Sequence, residues 1–255
     1  MAYLGAATTE EVRSAMSAGP VVALVPVGST EPHGPHLPLA TDTLISEAVA
    51  ARACERLVEK GLRAVVGASI AYGVTEFSQG FAGAISVEAD ALVTWVRAVV
   101  MGYLNAKFDH VCVVNNHLEP AHDEAIRKAL LGFPEGRVSY ACPLTRRWAR
   151  TLSDEFKSGA CHAGRYETSL VLATDREAVR TEIATTLSPL TISLSEAIRE
   201  GAHTFAQVGM TQAYTGAPAE ASVEEGRTLL EKLATCAVTE IEEAMKRMKE
   251  ARNPE

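Results

Sequence analysis

The sequence predicts an α/β fold, a mostly parallel sheet with helices on both faces. Two short apolar runs, Val21–Val27 and residues 109–115, have strand length and no polar face in their interiors, as expected of strands covered on both sides. Stretches of helical apolar spacing separate such runs, and strands alternating with helices imply parallel pairing. The core set is aliphatic, with aromatic residues at only 5%, which suits helices packed on a buried sheet.

The elements follow in order. Thr8 or Thr9 is placed to cap a first helix through residue 18, because Glu10 and Glu11 follow and Val12 and Met16 share a face. Pro20 ends it, and the strand Val21–Val27 begins. Residues 28–43, rich in glycine, proline and polar side chains, read as a loop. Helical spacing returns over residues 44–60, with Gly61 as the stop signal. Residues 62–68 form a second strand and residues 85–87 a short third. A helix over 89–105, a strand over 109–115, a helix opened by Glu119 or Pro120 and running to 131, and a strand over 136–141 continue the alternation. A further helix occupies 167–174, and 223–250 is long and amphipathic. Residues 202–222, with Gly209, Gly216, Pro218 and no period, read as a long functional loop. No composition break, linker or repeat divides the chain, so residues 1–255 are expected to form one domain.

Bulk properties exclude several classes. A net charge of −8 argues against general affinity for nucleic acid or anionic membranes. The five cysteines are dispersed with no C-x-x-C pair, which reads as reduced thiols. The first residues lack a basic and an apolar signal region, and no apolar stretch approaches membrane-spanning length. The expected location is the cytoplasm.

Chemistry concentrates at strand ends, where open α/β sheets place their ligand sites. After the first strand come Glu31, His33, His36 and Asp42, in a backbone restricted by Pro32, Pro35, Pro38 and Gly34. After the strand at 109–115 come His117 and Glu119. Residues two apart in extended backbone point the same way, so Glu31/His33 and His117/Glu119 can each reach a common centre. Imidazole and carboxylate donors without thiolate suit zinc, manganese or iron. Two carboxylate–histidine pairs plus Asp42, the natural bridge, are the ligand inventory of a two-metal site. A third segment, Cys161-His162-Ala163-Gly164-Arg165-Tyr166-Glu167-Thr168, offers His162 as a proton carrier. There Glu167 is expected to orient a ligand histidine, with direct ligation or a helix-start role as alternatives.

The stretch from Val25 to Asp42 resembles the signature of the creatininase (creatinine amidohydrolase) family. Asn115 to Glu119, His162 to Thr168, the weaker Ala71 to Glu76 and Gly216-Ala217-Pro218 fall in that family's order. The resemblance implies a three-layer α/β/α fold, two divalent ions per subunit, a homohexamer and cleavage of a carbon–nitrogen amide bond. The known reactions act on cyclic creatinine, on a formamide, or on a peptide in cofactor maturation. It further implies that Glu31 and His117 bind one ion, His33 and Glu119 the other, with Asp42 between them. His162, with Glu119, is then the catalytic candidate. Leu118, Trp148, Arg165 and Tyr166 are expected around the substrate. Two departures, Pro120 in place of asparagine and no tryptophan shortly before His162, point away from creatinine. They favour a larger, anionic amide, with Arg146, Arg147 or Arg165 as its partner.

Other classes fit less well. No Gly-x-Ser-x-Gly elbow accompanies Ser29 or Cys161, and Gly28-Ser29-Thr30-Glu31 puts a carboxylate where a phosphate would sit. A noncatalytic metal-binding protein stays open.

Overall fold

The computed structural model describes residues 3–252. Four strands, β1 (Val21–Val27), β2 (Arg63–Val66), β3 (His110–Asn115) and β4 (Val138–Ala141), form a parallel sheet in the order β2-β1-β3-β4. From β1 the chain turns to one side for β2 and then crosses to the other for β3, so β1 and β3 flank the switch point. Val27 is level with Asn115 in the register. The two segments that carry the first ligand candidates therefore leave the sheet side by side.

Period-two alternation divides the core into layers. Val22 and Leu24 of β1 join Cys112 and Val114 of β3 under α2 (Thr41–Glu59), α7 (Arg165–Thr174) and α10 (Val223–Arg252). Val25, Val27, Val111 and Val113 face α3 (Ala89–Asn105) and α4 (Pro120–Ala129) through Leu92, Val96, Val100 and Ile126. Helix α1 (Thr9–Ser17) covers Val21 and Ala23 on that second face, and Thr8 closes its start with a capping box to Glu11. The arrangement is helix, sheet, helix.

Three differences from the sequence expectation have physical reasons. Helix α2 starts at Thr41, so Asp42 lies in its first turn rather than in a loop, where a carboxylate is favoured by the helix dipole. Gly28 permits this close approach, since a Cβ there would lie 2.5 Å from the Thr43 backbone nitrogen. Residues 85–87 are not a strand. They make a single bridge, Gly73 to Ser86, and Ile85 is half exposed, because so short an apolar run has no second layer to bury it. Short helices α5 (Arg146–Ala149), α6 (Asp154–Ser158), α8 (Thr181–Ala184) and α9 (Leu194–Arg199) occupy the stretch after β4, each too brief to show a period. Residues 202–222 hold no strand or α-helix, only one tight 3₁₀ turn at Pro218–Glu220. No described helix is long and apolar enough to cross a membrane, and the five cysteines are all free thiols.

Candidate metal centre

Beyond the ends of β1 and β3, six side chains from four segments converge with almost no exposure: Glu31, His33, Asp42, His117, His162 and Glu167. Local structure aims each one. The Asn115 side chain closes on the His117 backbone, accepting its N–H at 3.1 Å and donating to its carbonyl at 2.9 Å. Glu167 lies in the first turn of α7, where its Oε2 accepts the Ala163 N–H at 2.6 Å. Thr75 donates its hydroxyl to Glu31 Oε2.

The three histidines share one device. His33 Nδ1 donates to the Glu31 carbonyl at 3.1 Å, His117 Nε2 to the Val74 carbonyl at 2.7 Å, and His162 Nε2 to the Pro32 carbonyl at 2.9 Å. Each ring thus ties one nitrogen to the main chain and turns inward the other, which is bare in the neutral ring that a metal binds. His33 Nε2 lies 3.1 Å from Asp42 Oδ1 and 3.5 Å from Glu167 Oε2. His117 Nδ1 lies 3.0 Å from Asp42 Oδ2 and 3.2 Å from Glu31 Oε1. Asp42 therefore presents one oxygen to each histidine. Ligand atoms of Glu31, Asp42 and His117 form one compact group and those of His33, Asp42 and Glu167 a second, joined through Asp42, and Glu31 and His33 also group with His162.

These residues fit a pair of cations. At both histidines a ring nitrogen confronts carboxylate oxygens at contact distance, and Asp42 Oδ2 is buried without a hydrogen-bond partner. Two acceptors so placed need a proton or a metal between them. Burial opposes charge on His33, yet Asp42, Glu167 and Glu31 outweigh it and lift its pKa to about 10. Burial likewise opposes charge on His117, and Glu31 and Asp42 overcome it to raise its pKa well above the usual value. Burial pushes Glu167 up to about 8 despite His33 beside it. Three carboxylates share this buried cluster, and no lysine or arginine among the described residues lines the cavity above it. The donor set, nitrogen and carboxylate oxygen without sulfur, suits zinc, manganese or iron.

Glu119 is placed differently from the sequence expectation. Its two oxygens accept the N–H groups of Glu76 at 2.9 Å and Phe77 at 3.2 Å, and it belongs to neither ligand group. Its backbone is extended just ahead of Pro120 and α4, and it is the pull of the two N–H groups on its side chain that draws the carboxylate away from His117. It lines the cavity, where burial raises its pKa to about 7. His36 also lies outside both ligand groups, with Nε2 on the Thr168 hydroxyl at 2.8 Å, tying the first loop to α7.

Above the cluster opens a cavity of about 320 Å³, walled by Phe77, Leu118, Leu144, Leu194, Ile198 and Phe205. Of the four expected pocket residues only Leu118 lines it. Trp148 packs in the core with its indole N–H on Glu240, and Tyr166 is buried against Phe156. Arg165 is drawn outward to Glu220 and Glu225, as Arg147 is to Glu240 and Glu243. Sequence reasoning missed Phe77, Leu144, Leu194, Ile198 and Phe205. Phe205 falls in the aperiodic 202–222 stretch, whose length was the available signal. Cys161 lines the cavity, but burial pushes its thiol up to about 12, which leaves no thiolate for nucleophilic work near neutral pH.

Similarity to known proteins agrees with this geometry. The family described as "Creatininase: Creatinine amidohydrolase" matches residues 5–241. The chain belongs to the creatininase family. Within it, the mycofactocin precursor peptide peptidase of Mycobacterium ulcerans (strain Agy99) is 34% identical over 228 residues, covering 86% of this chain and 83% of that protein. The creatinine amidohydrolase of Pseudomonas putida is 28% identical over 120 residues, 46% of this chain and 45% of that one. The solved structure "Creatininase Mn" superposes with a TM-score of 0.74 at 22% identity, over 94% of this chain and 97% of that chain, a likeness of fold. As a member of the creatininase family, the chain is a hydrolase whose described residues include clustered metal-ligand side chains.

Proposed function

We propose that this chain cleaves an amide bond of a peptide at a two-metal centre, with Glu31, Asp42 and His117 holding one ion and His33, Asp42 and Glu167 the other. The observation that carries the reading is Asp42, which turns one buried oxygen to each of two histidines whose facing nitrogens are bare. In this reading Glu167 takes the ligand place that the family resemblance gave to Glu119. Zinc or manganese is the expected pair, with iron compatible, and the manganese named for the similar creatininase structure supports that choice. When bound, such ions supply an activated water and polarise the amide carbonyl.

The chain's own residues do the rest. Asp42, Glu31 and Glu167 neutralise and space the two cation positions. His162 stands over the cluster, its ring 4.3 Å from that of His33 and its Nδ1 free, placed to take the water's proton and pass it to the departing nitrogen. Glu119, held by two backbone N–H groups on the cavity wall, offers a second proton-carrying position. Leu118 and Phe205 exclude water and so strengthen every charge interaction below them.

A peptide is favoured over creatinine by the extent of likeness to the peptide peptidase, 86% of this chain against 46% for the creatinine enzyme. The same reading extends to a homohexamer, which light scattering on the purified protein checks. The decisive experiment strips the protein with a chelator, reloads it with zinc or manganese, and assays creatinine beside a panel of short peptides. Restored peptide cleavage with two ions per chain is expected. A creatinine kcat/KM of about 10⁴ M⁻¹s⁻¹ or more, with no peptide cut, would overturn it.

A further inference from the structure

A second depression, about 540 Å³, adjoins the catalytic cavity and shares Leu144, Cys161 and Ser195 with it. Its rim carries Arg146 and Arg150, both exposed. These two arginines stand apart from the protein's other cations in this region. Arg147 and Arg165 are each engaged by two carboxylates, and Lys157, on the same rim, is paired with Asp154 at 2.6 Å. Among the described residues neither Arg146 nor Arg150 forms an ion pair; the Arg150 side chain only donates to the Arg146 carbonyl at 3.1 Å. They are four residues apart in one helical turn, a like-charge spacing that weakens a helix. In a chain of net charge −8 with carboxylates abundant on its surface, two adjacent unpaired guanidinium groups beside the active cavity are an arrangement suited to an anion from outside the chain.

We propose that this groove is a substrate subsite in which Arg146 and Arg150 receive a carboxylate of the peptide while its scissile amide lies over the metal cluster. The inference rests on the peptide-hydrolase reading and adds to it which peptides are preferred. The shared walls, Leu144, Cys161 and Ser195, set the two spaces side by side, within the reach of one extended chain. No lysine or arginine lines the cavity itself, so recognition of a substrate carboxylate by guanidinium is assigned to the groove. Planar guanidinium groups suit this task because each can donate two parallel hydrogen bonds to a carboxylate.

The test uses the metal-loaded protein and four fluorescein-labelled peptides of otherwise identical alanine–valine sequence. They carry one internal glutamate or glutamine and end as the free acid or the amide. Binding is followed by fluorescence anisotropy, and cleavage is read separately by mass spectrometry. A carboxylate-bearing peptide is expected to bind about tenfold more tightly than the fully neutral one, as a single charge-assisted contact provides. That preference should vanish in the Arg146→Gln/Arg150→Gln double variant and persist in Arg147→Gln, whose side chain is already occupied. Whether the advantage follows the glutamate or the free terminus identifies which carboxylate is read. Equal binding of all four peptides, or a preference that survives the double variant, overturns the subsite. If the acidic peptide binds through these arginines but nothing is cut, the subsite stands and the peptidase reading falls. Cleavage without any preference removes the subsite and leaves the peptidase reading in place.

Discussion

The floor and the roof of the catalytic cavity are built by opposite means. The floor hangs from the ends of β1 and β3, whose register sets Glu31, His33 and His117 side by side, and from the first turns of α2 and α7. Moving it would require the central sheet to slip. The roof is the stretch after β4, where short helices and loops gather a small separate cluster around Leu194, Phe205, Met210 and Ala213. Polar clamps hold that roof in place. Glu155 accepts the N–H groups of Tyr166 and Ala217, both at 2.8 Å, and the Thr215 hydroxyl reaches the carbonyls of Leu190 and Ile192. A region with few buried apolar contacts opens at lower free energy than the sheet. Chemistry is thus assigned to the rigid part and substrate fit to the adaptable one.

The largest test of that division strikes the floor. Asp42→Ala should lose both metals and essentially all turnover, since one side chain serves two positions. Elemental analysis that still finds two ions per chain breaks the comparison at its root.

Next comes the pair of glutamates. Glu167→Gln should lower metal content, whereas Glu119→Gln and His162→Ala should keep both ions and lose turnover by about 10²–10⁴-fold. The reverse pattern, metal lost with Glu119→Gln and kept with Glu167→Gln, would return Glu119 to the ligand set.

The roof should respond in fit and stability rather than in metal. Glu155→Ala leaves two part-buried N–H groups without their acceptor, at a cost of about 1–3 kcal/mol each at most. It should raise KM and lower the melting temperature by several degrees while metal content stays at the wild-type level. Loss of metal from this variant would show that roof and floor are coupled.

The smallest effect belongs to the sheet's far end. Burial lowers His110 to about 4, partly opposed by its bond to the Gly136 carbonyl. The unfolded chain therefore takes up a proton below pH 6.5 that the folded one refuses until about pH 4. His110 stabilises the fold fully above pH 6.5 and loses that contribution as pH falls toward 4, about 2 kcal/mol by pH 5. Urea unfolding at pH 7 and pH 5 should show a shallower pH slope in His110→Gln, and an identical slope would remove His110 from the account.

Legibility follows the same divide. β1 and β3 are readable because a strand buried on both faces must be apolar throughout, and the ligand loops because proline, glycine and histidine are concentrated there. Asp42 is recognisable as a ligand candidate, but spacing alone puts it in a loop, since Thr41 and Asp42 lack the apolar periodicity that marks a helix. In the proposed reading Glu119 and Glu167 exchange expected places, for a reason invisible in spacing. Their carboxylates are steered by backbone N–H groups of Glu76, Phe77 and Ala163, which no side-chain pattern announces. The roof is unreadable because helices of four to six residues show no period, and Phe205 reaches the cavity through long-range packing on Phe77, Phe81 and His162.

The inward-facing imidazoles are all oriented by peptide carbonyls, those of Glu31, Val74 and Pro32. A main-chain oxygen has no codon. No single replacement can delete it or swap it for a weaker acceptor, so the pattern of bare nitrogens is inherited with the path of the chain. A lineage bearing this architecture can redraft its roof for new substrates while the orientation of every inward-facing histidine passes on unaltered.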